Sequence, residues 1–212
     1  PRAEALCARY LDKNRPVLAA VSGGLDSMCL LYFLREQGYD VSCAHFNHQL
    51  RGAEAARDEN FVRAWCEKEG IPFYPGTSDV RAHARATGKT EEEAGRDLRY
   101  AFLRETAKSL GAQIALAHHL DDNAETVLLN LVRGTDLRGL CGMRPKQGDI
   151  ARPFLEQTRE ELVAYAHAHN IPHVEDHTNA DPNAAARNYL RLEILPRLRE
   201  LNPRAPQHIA AT

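Results

Sequence analysis

The stretch VLAAVSGGLDSMCLLYFL, residues 17–34, decides the fold. Its apolar run, residues 17–21, predicts a buried strand, and Met28, Leu31 and Leu34 recur at the spacing of one helix face. A Ser-Gly-Gly turn joins the two. Outward from this unit, apolar runs alternate with helical patterns along most of the chain. That alternation predicts an α/β fold, a Rossmann-like parallel sheet flanked by helices.

The turn between strand and helix has the composition of a phosphate-binding loop. Its two glycines let the backbone turn sharply beside an anion, and the start of the following helix presents N–H groups. It has neither the Gly-Lys-Ser/Thr of a Walker A loop nor a Gly-x-Gly-x-x-Gly pattern. The carboxylate beside a phosphate suggests a bridging Mg²⁺, although an ordinary turn with an aspartate capping the helix remains an alternative. The predicted phosphate-binding residues are Ser22, Gly23, Gly24, Leu25, Asp26 and Ser27.

Further strands are predicted at 41–46, 71–74 and 113–117. Helices are predicted at 27–37, 54–69, 79–87, 90–110, 121–133, 158–170 and 187–201, the last interrupted by Pro196. Thr90 with Glu93, and Thr158 with Glu161, have capping-box spacing. Residues 134–148 are predicted to be irregular.

A second polar segment, HHLDDNAET at 118–126, follows the strand at 113–117. Ligands bind at the carboxyl ends of parallel strands, so this segment is expected to share a crevice with the Ser-Gly-Gly turn. On the following helix Asp122, Glu125 and Arg133 share a face. Together with Asp26, these carboxylates could hold one or two Mg²⁺, unless the aspartates only cap the helix. The adjacent histidines lack zinc-site spacing and are expected to shape the pocket or contact substrate.

Arginines recur at helical spacing in two places. Arg96 and Arg99 follow Glu92 at i+4 and i+7, and Arg187 and Arg191 are four residues apart. Guanidinium groups suit phosphate or RNA backbone. Spacing alone equally describes solvated charges and a surface Glu92–Arg96 ion pair.

Composition excludes several classes of protein. The 212 residues include 27 Lys plus Arg and 29 Asp plus Glu, for a formal charge of −2, and 43% are hydrophobic. These values exclude intrinsic disorder and argue against a protein that binds nucleic acid by bulk positive charge. No apolar run has the length of a membrane helix. The five cysteines include no Cys-x-x-Cys pair, and with no signal-peptide pattern at the N-terminus they predict a cytoplasmic location.

Taken together, several segments resemble the PP-loop ATP pyrophosphatases, and more closely the bacterial tRNA(Ile)-lysidine synthetase family. Ser-Gly-Gly-Leu-Asp-Ser is also similar to asparagine synthetases, and the HHxDD pattern to tRNA thiolation enzymes. The conjunction of motifs is what indicates the lysidine family. The segments are AVSGGLDSMCLL (20–31), HFNHQLRG (45–52), EEAGRDLRYAFL (92–103), AHHLDDNAETVLLNLVRGT (117–135), RPFL (152–155), EDHTN (175–179) and RNYLR (187–191).

The resemblance implies that ATP adenylates C2 of the wobble cytidine in the CAU anticodon of an isoleucine tRNA, after which the lysine ε-amine displaces AMP. It implies ATP and Mg²⁺ as cofactors, and L-lysine and the tRNA as partners. The residues ascribed to catalysis are Asp26, Asp122, Arg96 and Arg187, with Asp26 and Asp122 holding Mg²⁺. The residues ascribed to substrate are His119, Glu125, Arg99, Arg133 and Arg191.

The resemblance also divides the chain. Residues 1–180 would form the PP-loop catalytic domain, and 181–212 a helical extension that leads to tRNA-binding domains not present in this sequence. Two positions depart from the family pattern: Asn123 stands where Gln is usual, and Ala185 where an aromatic residue is common.

Three alternatives remain open on the sequence: a PP-loop tRNA thiolase, an amidotransferase-type synthetase acting on a small metabolite, and a non-catalytic ATP-binding sensor. The oligomeric state is also open, with a homodimer as one alternative.

Overall fold

The computed structural model describes residues 2–49, 53–175 and 186–211. A mostly parallel sheet lies at the centre, with strand order β3-β2-β1-β4-β6-β5. Its one antiparallel pair is the β5–β6 hairpin. The strands are β1 (Val17–Ala20), β2 (Val41–Asn47), β3 (Phe73–Thr77), β4 (Gln113–Ala115), β5 (Lys146–Gln147) and β6 (Ile150–Ala151). The expected Rossmann-like α/β class is confirmed.

Helices cover both faces of the sheet. They are α1 (Arg2–Tyr10), α2 (Leu25–Glu36), α3 (Ala53–Glu69), α4 (Val80–Thr87), α5 (Glu91–Leu110), α6 (Leu120–Arg133), α7 (Leu137–Leu140), α8 (Arg159–Ala168), α9 (Ala186–Tyr189), α10 (Leu195–Leu201) and α11 (Ala205–Ala210). A π-helical turn, Leu190–Ile194, joins α9 to α10.

The core has two layers because successive strand residues point to opposite faces. Val17 and Ala19 of β1 pack with α2 and α8 in one cluster. Leu18, between them, packs with Leu103 of α5 and with Ile114 in the other. All four of these aliphatic side chains in β1 and β4 are at most 1% exposed. This burial on both sides explains why the strands are continuous apolar runs without polar alternation.

Both predicted capping boxes are present. Thr90 and Glu93 exchange hydrogen bonds at the start of α5, and Thr158 and Glu161 do so at the start of α8. The last predicted helix is interrupted beside Pro196, as predicted. The π-helical turn Leu190–Ile194 separates α9 from α10, and Pro196 lies in the first turn of α10.

Residues 134–148 are more regular than predicted. They contain α7, which Asp136 caps, and the strand β5. Helices α1 and α11 and the β5–β6 hairpin were not predicted from the sequence. These elements are short or lie near an end of the chain, so their hydrophobic periodicity is weak.

The boundary expected between residues 180 and 181 lies outside the described residues, as do Leu50–Gly52 of one motif, most of the EDHTN segment and Ala185. The division into two domains stays a prediction. The described part of the extension packs on α6, where Asn123 Nδ2 donates to Ala210 O at 3.2 Å. Within the described ranges, no helix is both long and apolar enough to cross a membrane.

Candidate functional site

The site lies where the strand order reverses. The chain moves from β1 through β2 to β3 in one direction, and β4 lies on the other side of β1. The carboxyl ends of β1 and β4 therefore open into one crevice, the usual ligand position in such sheets. The Ser-Gly-Gly turn leaves β1, and His118 and His119 follow β4, so the two polar segments meet as expected.

The turn has a preformed anion-binding geometry. Gly23 has φ +100°, a conformation that L side chains rarely adopt, and a Cβ there would lie 3.3 Å from Val62 of α3. The N–H groups of Ser22 and Gly23 both donate to Ser27 Oγ, at 3.1 and 3.2 Å. These bonds fix the turn, and the N–H groups in the first turn of α2, which have no side-chain cap, are suited to a phosphate oxygen.

Asp26, in the first turn of α2, faces the crevice. Its Oδ2 accepts a hydrogen bond from Arg159 Nη1 at 2.8 Å and lies 3.7 Å from His119 Nε2. Its Oδ1 is buried and has no hydrogen-bond partner among the described residues. A buried carboxylate oxygen without a donor is costly unless a ligand completes it. Asp26 therefore has one oxygen suited to a cation.

His119 is surrounded by carboxylates. Its ring is 2% exposed, and its Nε2 lies 3.5 Å from Asp122 Oδ2, while its Nδ1 lies 3.7 Å from Asp121 Oδ2. Burial by itself would raise the pKa of Asp122. The neighbouring His119 and His118, the His119 N–H and Arg191 outweigh burial and hold the pKa of that carboxyl below its usual value. Asp122 is thus kept ionised.

Glu125 lies one turn further along α6 and is fully buried. Arg191 binds both its oxygens, Nε to Oε1 at 2.6 Å and Nη2 to Oε2 at 3.0 Å. Arg187 Nε lies 2.9 Å from Oε2, and its Nη2 donates to Thr126 Oγ1 at 2.6 Å. Burial raises the pKa of Glu125, although Arg191 opposes the shift. Both C-terminal arginines are therefore bound to α6.

A cationic group of arginine side chains lies beside the start of α6, on the side of α5. Arg96, Arg99 and Arg104 lie over the Tyr100 ring at 5.1 to 5.6 Å. Arg152 is 3% exposed nearby, and burial lowers the pKa of Arg99. Burial lowers the pKa of His118 to about 3, with Arg152, Arg99 and Arg187 adding to the effect. This concentration of guanidinium groups suits an anionic ligand.

A cleft of about 360 Å³ opens beside the carboxylates. Its walls come from the start of α6, from α8 and from the C-terminal helices. Val163, Ala164 and Leu195 supply apolar surface, and the remaining lining residues are His119, Asp121, Glu125, Arg159, Glu160, Arg191 and Arg199. The cleft combines an apolar floor with charges of both signs.

The structure gathers most of the predicted site residues around the start of α6. Asp26, His119, Asp122, Glu125, Arg187 and Arg191 form one network, and Arg96 and Arg99 lie in the cationic group. Arg133 does not join them. It is exposed at the far end of α6, eleven residues and about 16 Å along the axis from Asp122. Sharing a helix face did not bring it to the site.

Arg159 and Arg199 were not predicted as site residues. Arg159 directly follows the N-cap Thr158, and its backbone N–H donates to Asp121 Oδ2 at 2.9 Å. Arg199 of α10 pairs with Asp121 Oδ1. For Asp121, helix capping was only an alternative, and no arginine partner was predicted. Arg159 is 133 residues from Asp26, so no local spacing could connect them.

A parallel sheet with a phosphate-binding turn after its first strand and acidic residues after β4 is typical of ATP-binding α/β proteins. The PP-loop domain family matches residues 2–198, and this chain belongs to that family. Within it, the chain is 43% identical over 203 residues to the tRNA(Ile)-lysidine synthase of Parabacteroides distasonis, covering 95% of this chain and 46% of that protein. It is 43% identical over 198 residues to the synthase of Thermotoga maritima, covering 91% and 47%. The synthase of Thermus thermophilus is 44% identical over 201 residues, with 94% and 39% covered. The chain thus spans about half the length, or less, of these curated relatives.

Solved structures share the fold at low sequence identity. The U34-tRNA thiolase NcsA of Methanococcus maripaludis superposes with a TM-score of 0.78 at 17% identity, covering 99% of this chain and 76% of that one. The NMN synthetase of Francisella tularensis gives 0.58 at 13% identity, covering 99% and 94%. These likenesses show the fold alone.

Proposed function

We propose that this chain contains the ATP-dependent active centre that joins L-lysine to C2 of the wobble cytidine in the CAU anticodon of isoleucine tRNA. One observation carries the proposal: Asp26 and Asp122 both approach His119 Nε2, within 3.7 Å, beside a preformed phosphate turn. The names of the relatives supply the substrate class. The reaction would take place in the cytoplasm.

The proposed reaction has two balanced steps. The C2 oxygen of cytidine attacks the α-phosphorus of ATP, and pyrophosphate leaves. The lysine ε-amine then forms a bond to C2, and the C2–oxygen bond breaks to release AMP. The first step needs charge neutralisation on pyrophosphate, which backbone donors and arginines can supply. The N–H groups of the Ser-Gly-Gly turn are suited to that task, and the cationic group around Tyr100 is suited to phosphates of either ATP or tRNA.

The donor set fits Mg²⁺ bound together with nucleotide. Within the described ranges, no three His, Cys, Asp or Glu side chains are grouped to hold a metal ion. Mg²⁺ usually binds through one or two carboxylates plus substrate phosphates and water. Asp26, with its unpartnered buried Oδ1, and the ionised Asp122 would hold it. Bound there, the ion would neutralise phosphate charge.

We further propose that lysine enters the cleft between α6, α8 and α10. Its methylene stem would lie along Val163, Ala164 and Leu195, the apolar part of the lining. Its carboxylate suits Arg191 or Arg199, and its ammonium group suits the acidic residues at the start of α6. Glu125 and His119, which line the cleft, are then candidates to receive the ε-amine proton.

Two readouts are combined because the chain spans about half the length of its curated relatives. Incubation with ATP, Mg²⁺, radiolabelled lysine and CAU-anticodon isoleucine tRNA is expected to label the tRNA. Exchange of labelled pyrophosphate into ATP that depends on this tRNA reports adenylation alone. If neither labelled tRNA nor tRNA-dependent exchange appears, the proposal is wrong. Gel filtration with light scattering would show whether the active species is a homodimer.

A further inference from the structure

Arg159 connects the Ser-Gly-Gly side of the site to the α6 side. Its guanidinium donates to Asp26 Oδ2 at 2.8 Å, while its backbone N–H donates to Asp121 Oδ2 at 2.9 Å. The backbone contact belongs to the first turn of α8, where the Thr158–Glu161 capping box holds the chain. The position of the backbone is therefore independent of what the side chain does.

The side chain of Arg159 lies partly in solvent. It is 45% exposed, and within the described part of the chain it pairs with the Asp26 carboxylate, which is 26% exposed. An ion pair with this exposure is weak and exchanges readily with other partners. The side chain also lines the cleft, so a ligand that enters there would meet it.

A cation bound at Asp26 and the Arg159 guanidinium would compete. Both require the negative charge of one carboxylate, and two positive charges a few ångströms apart repel each other. Asp26 Oδ1, which is buried without a donor, remains the oxygen that can face a ligand. The guanidinium on Oδ2 lowers the negative potential at that oxygen.

We propose that Arg159 is a positioning residue that neutralises Asp26 in the nucleotide-free protein and thereby weakens its affinity for divalent cations. Metal then binds well only with nucleotide, whose phosphates offer Arg159 another partner. Metal loading is coupled to ATP binding in this way. The inference rests on the metal role proposed above for Asp26.

The test measures Mn²⁺ affinity without nucleotide, by the loss of the free Mn²⁺ signal in electron paramagnetic resonance. Arg159→Met keeps the aliphatic stem and the backbone contact to Asp121 but removes the charge. It is expected to bind Mn²⁺ about tenfold more tightly than wild type, a change that corresponds to about 1.4 kcal/mol. Arg159→Lys, which keeps the charge, is expected to stay near wild type. A structural lesion would weaken binding, not strengthen it.

Two further variants separate the explanations. Arg2→Met removes the 2.5 Å ion pair to Glu161 on the same helix without touching Asp26, and it should leave Mn²⁺ affinity unchanged. Asp26→Asn should abolish the tight binding gained in Arg159→Met. If Arg159→Met binds Mn²⁺ no better than wild type while Asp26→Asn weakens it, the role of Arg159 is wrong and the metal role of Asp26 stands. If Asp26→Asn changes nothing in either background, the metal role itself is wrong.

Discussion

At the scale of single residues, three aspartates converge on one buried imidazole. Asp26 comes from α2, while Asp121 and Asp122 come from the start of α6, and all three lie within 3.7 Å of a His119 ring nitrogen. Each aspartate also contacts an arginine: Arg159, Arg199 and Arg191 respectively. The negative charge is therefore compensated without being removed, and a cationic substrate or metal ion can exchange with those arginines.

Asp26→Ala and Asp122→Ala are each expected to abolish lysine incorporation into tRNA, because each removes a carboxylate from the crevice. Neither should unfold the protein. Asp122 also accepts the His119 N–H at 3.1 Å, so its loss should cost about 1 kcal/mol of stability, as for other helix caps. The measurements are label incorporation and urea unfolding. Glu105→Ala, at an exposed position of α5, is the control, and wild-type activity in either aspartate variant would contradict the assignment.

His118 should make stability depend on pH. Its pKa is about 3 in the folded state, against 6.5 as the ordinary value, so the unfolded chain binds the extra proton first as pH falls. The free energy of unfolding should decrease between pH 6.5 and pH 3. At pH 5 this residue's share of the loss is about 2 kcal/mol. Urea unfolding at pH 7 and pH 5 should therefore show a smaller loss in His118→Gln than in wild type; equal losses would refute the argument.

At the scale of elements, α6 joins the active crevice to the C-terminal helices. Asn123 donates to Ala210 O of α11 at 3.2 Å and accepts from the Met143 N–H at 2.6 Å. Asn123, which stands where Gln is usual in the family, therefore forms hydrogen bonds both with α11 and with the backbone of Met143. The apolar side chains Ala124, Val127, Leu128 and Leu131 of this helix are buried only in part. Ala124 and Val127 are buried, whereas Leu131 is 58% exposed.

Gly142→Ala is expected to destabilise this junction by about 1 to 3 kcal/mol. Gly142 has φ +60°, and a Cβ there would overlap Asn123 Oδ1 and lie 2.9 Å from Val127 Cγ2. Gly148→Ala is a matched control because Gly148 has the same φ and nothing within 4 Å of its Cβ position. The difference between the two in urea unfolding isolates the overlap. If Gly142→Ala loses no more stability than Gly148→Ala, the loop around residue 142 moves to accommodate the added methyl group, and the prediction is wrong.

At the scale of the whole molecule, charge is balanced overall but uneven locally. The formal charge is −2, and the carboxylates at the start of α6 are paired with arginines, whereas Arg96, Arg99 and Arg104 gather around Tyr100. Exposed carboxylates elsewhere cancel much of the long-range field. RNA would therefore be held at a local cationic surface.

The chain should bind tRNA weakly, with a shallow dependence on salt. Arg99→Ala is expected to reduce the slope of log K against log salt concentration by about 1, because one phosphate contact is lost. Arg35→Ala should not change the slope. Arg35 lies near the C-terminal end of α2 and pairs with Glu69. This end of α2 lies toward the amino ends of the strands, whereas the site lies at their carboxyl ends. Fluorescence anisotropy across a salt series measures both, and equal slopes for Arg99→Ala and wild type would place the RNA elsewhere.

The sequence by itself determined the α/β class, the Ser-Gly-Gly turn, the helix caps and the pairing of Asp26 with the HHLDDNAET segment. These depend on local periodicity, on short-range backbone chemistry and on the rule that strand ends share an edge. Only the tertiary structure decided which charges meet. Arg159 reaches Asp26 across 133 residues, Arg187 and Arg191 bind a fully buried Glu125, and Arg133 lies far from the site despite its place on the same helix face. Side-chain pairing between distant elements depends on how helices pack against the sheet, and no spacing within one segment encodes that.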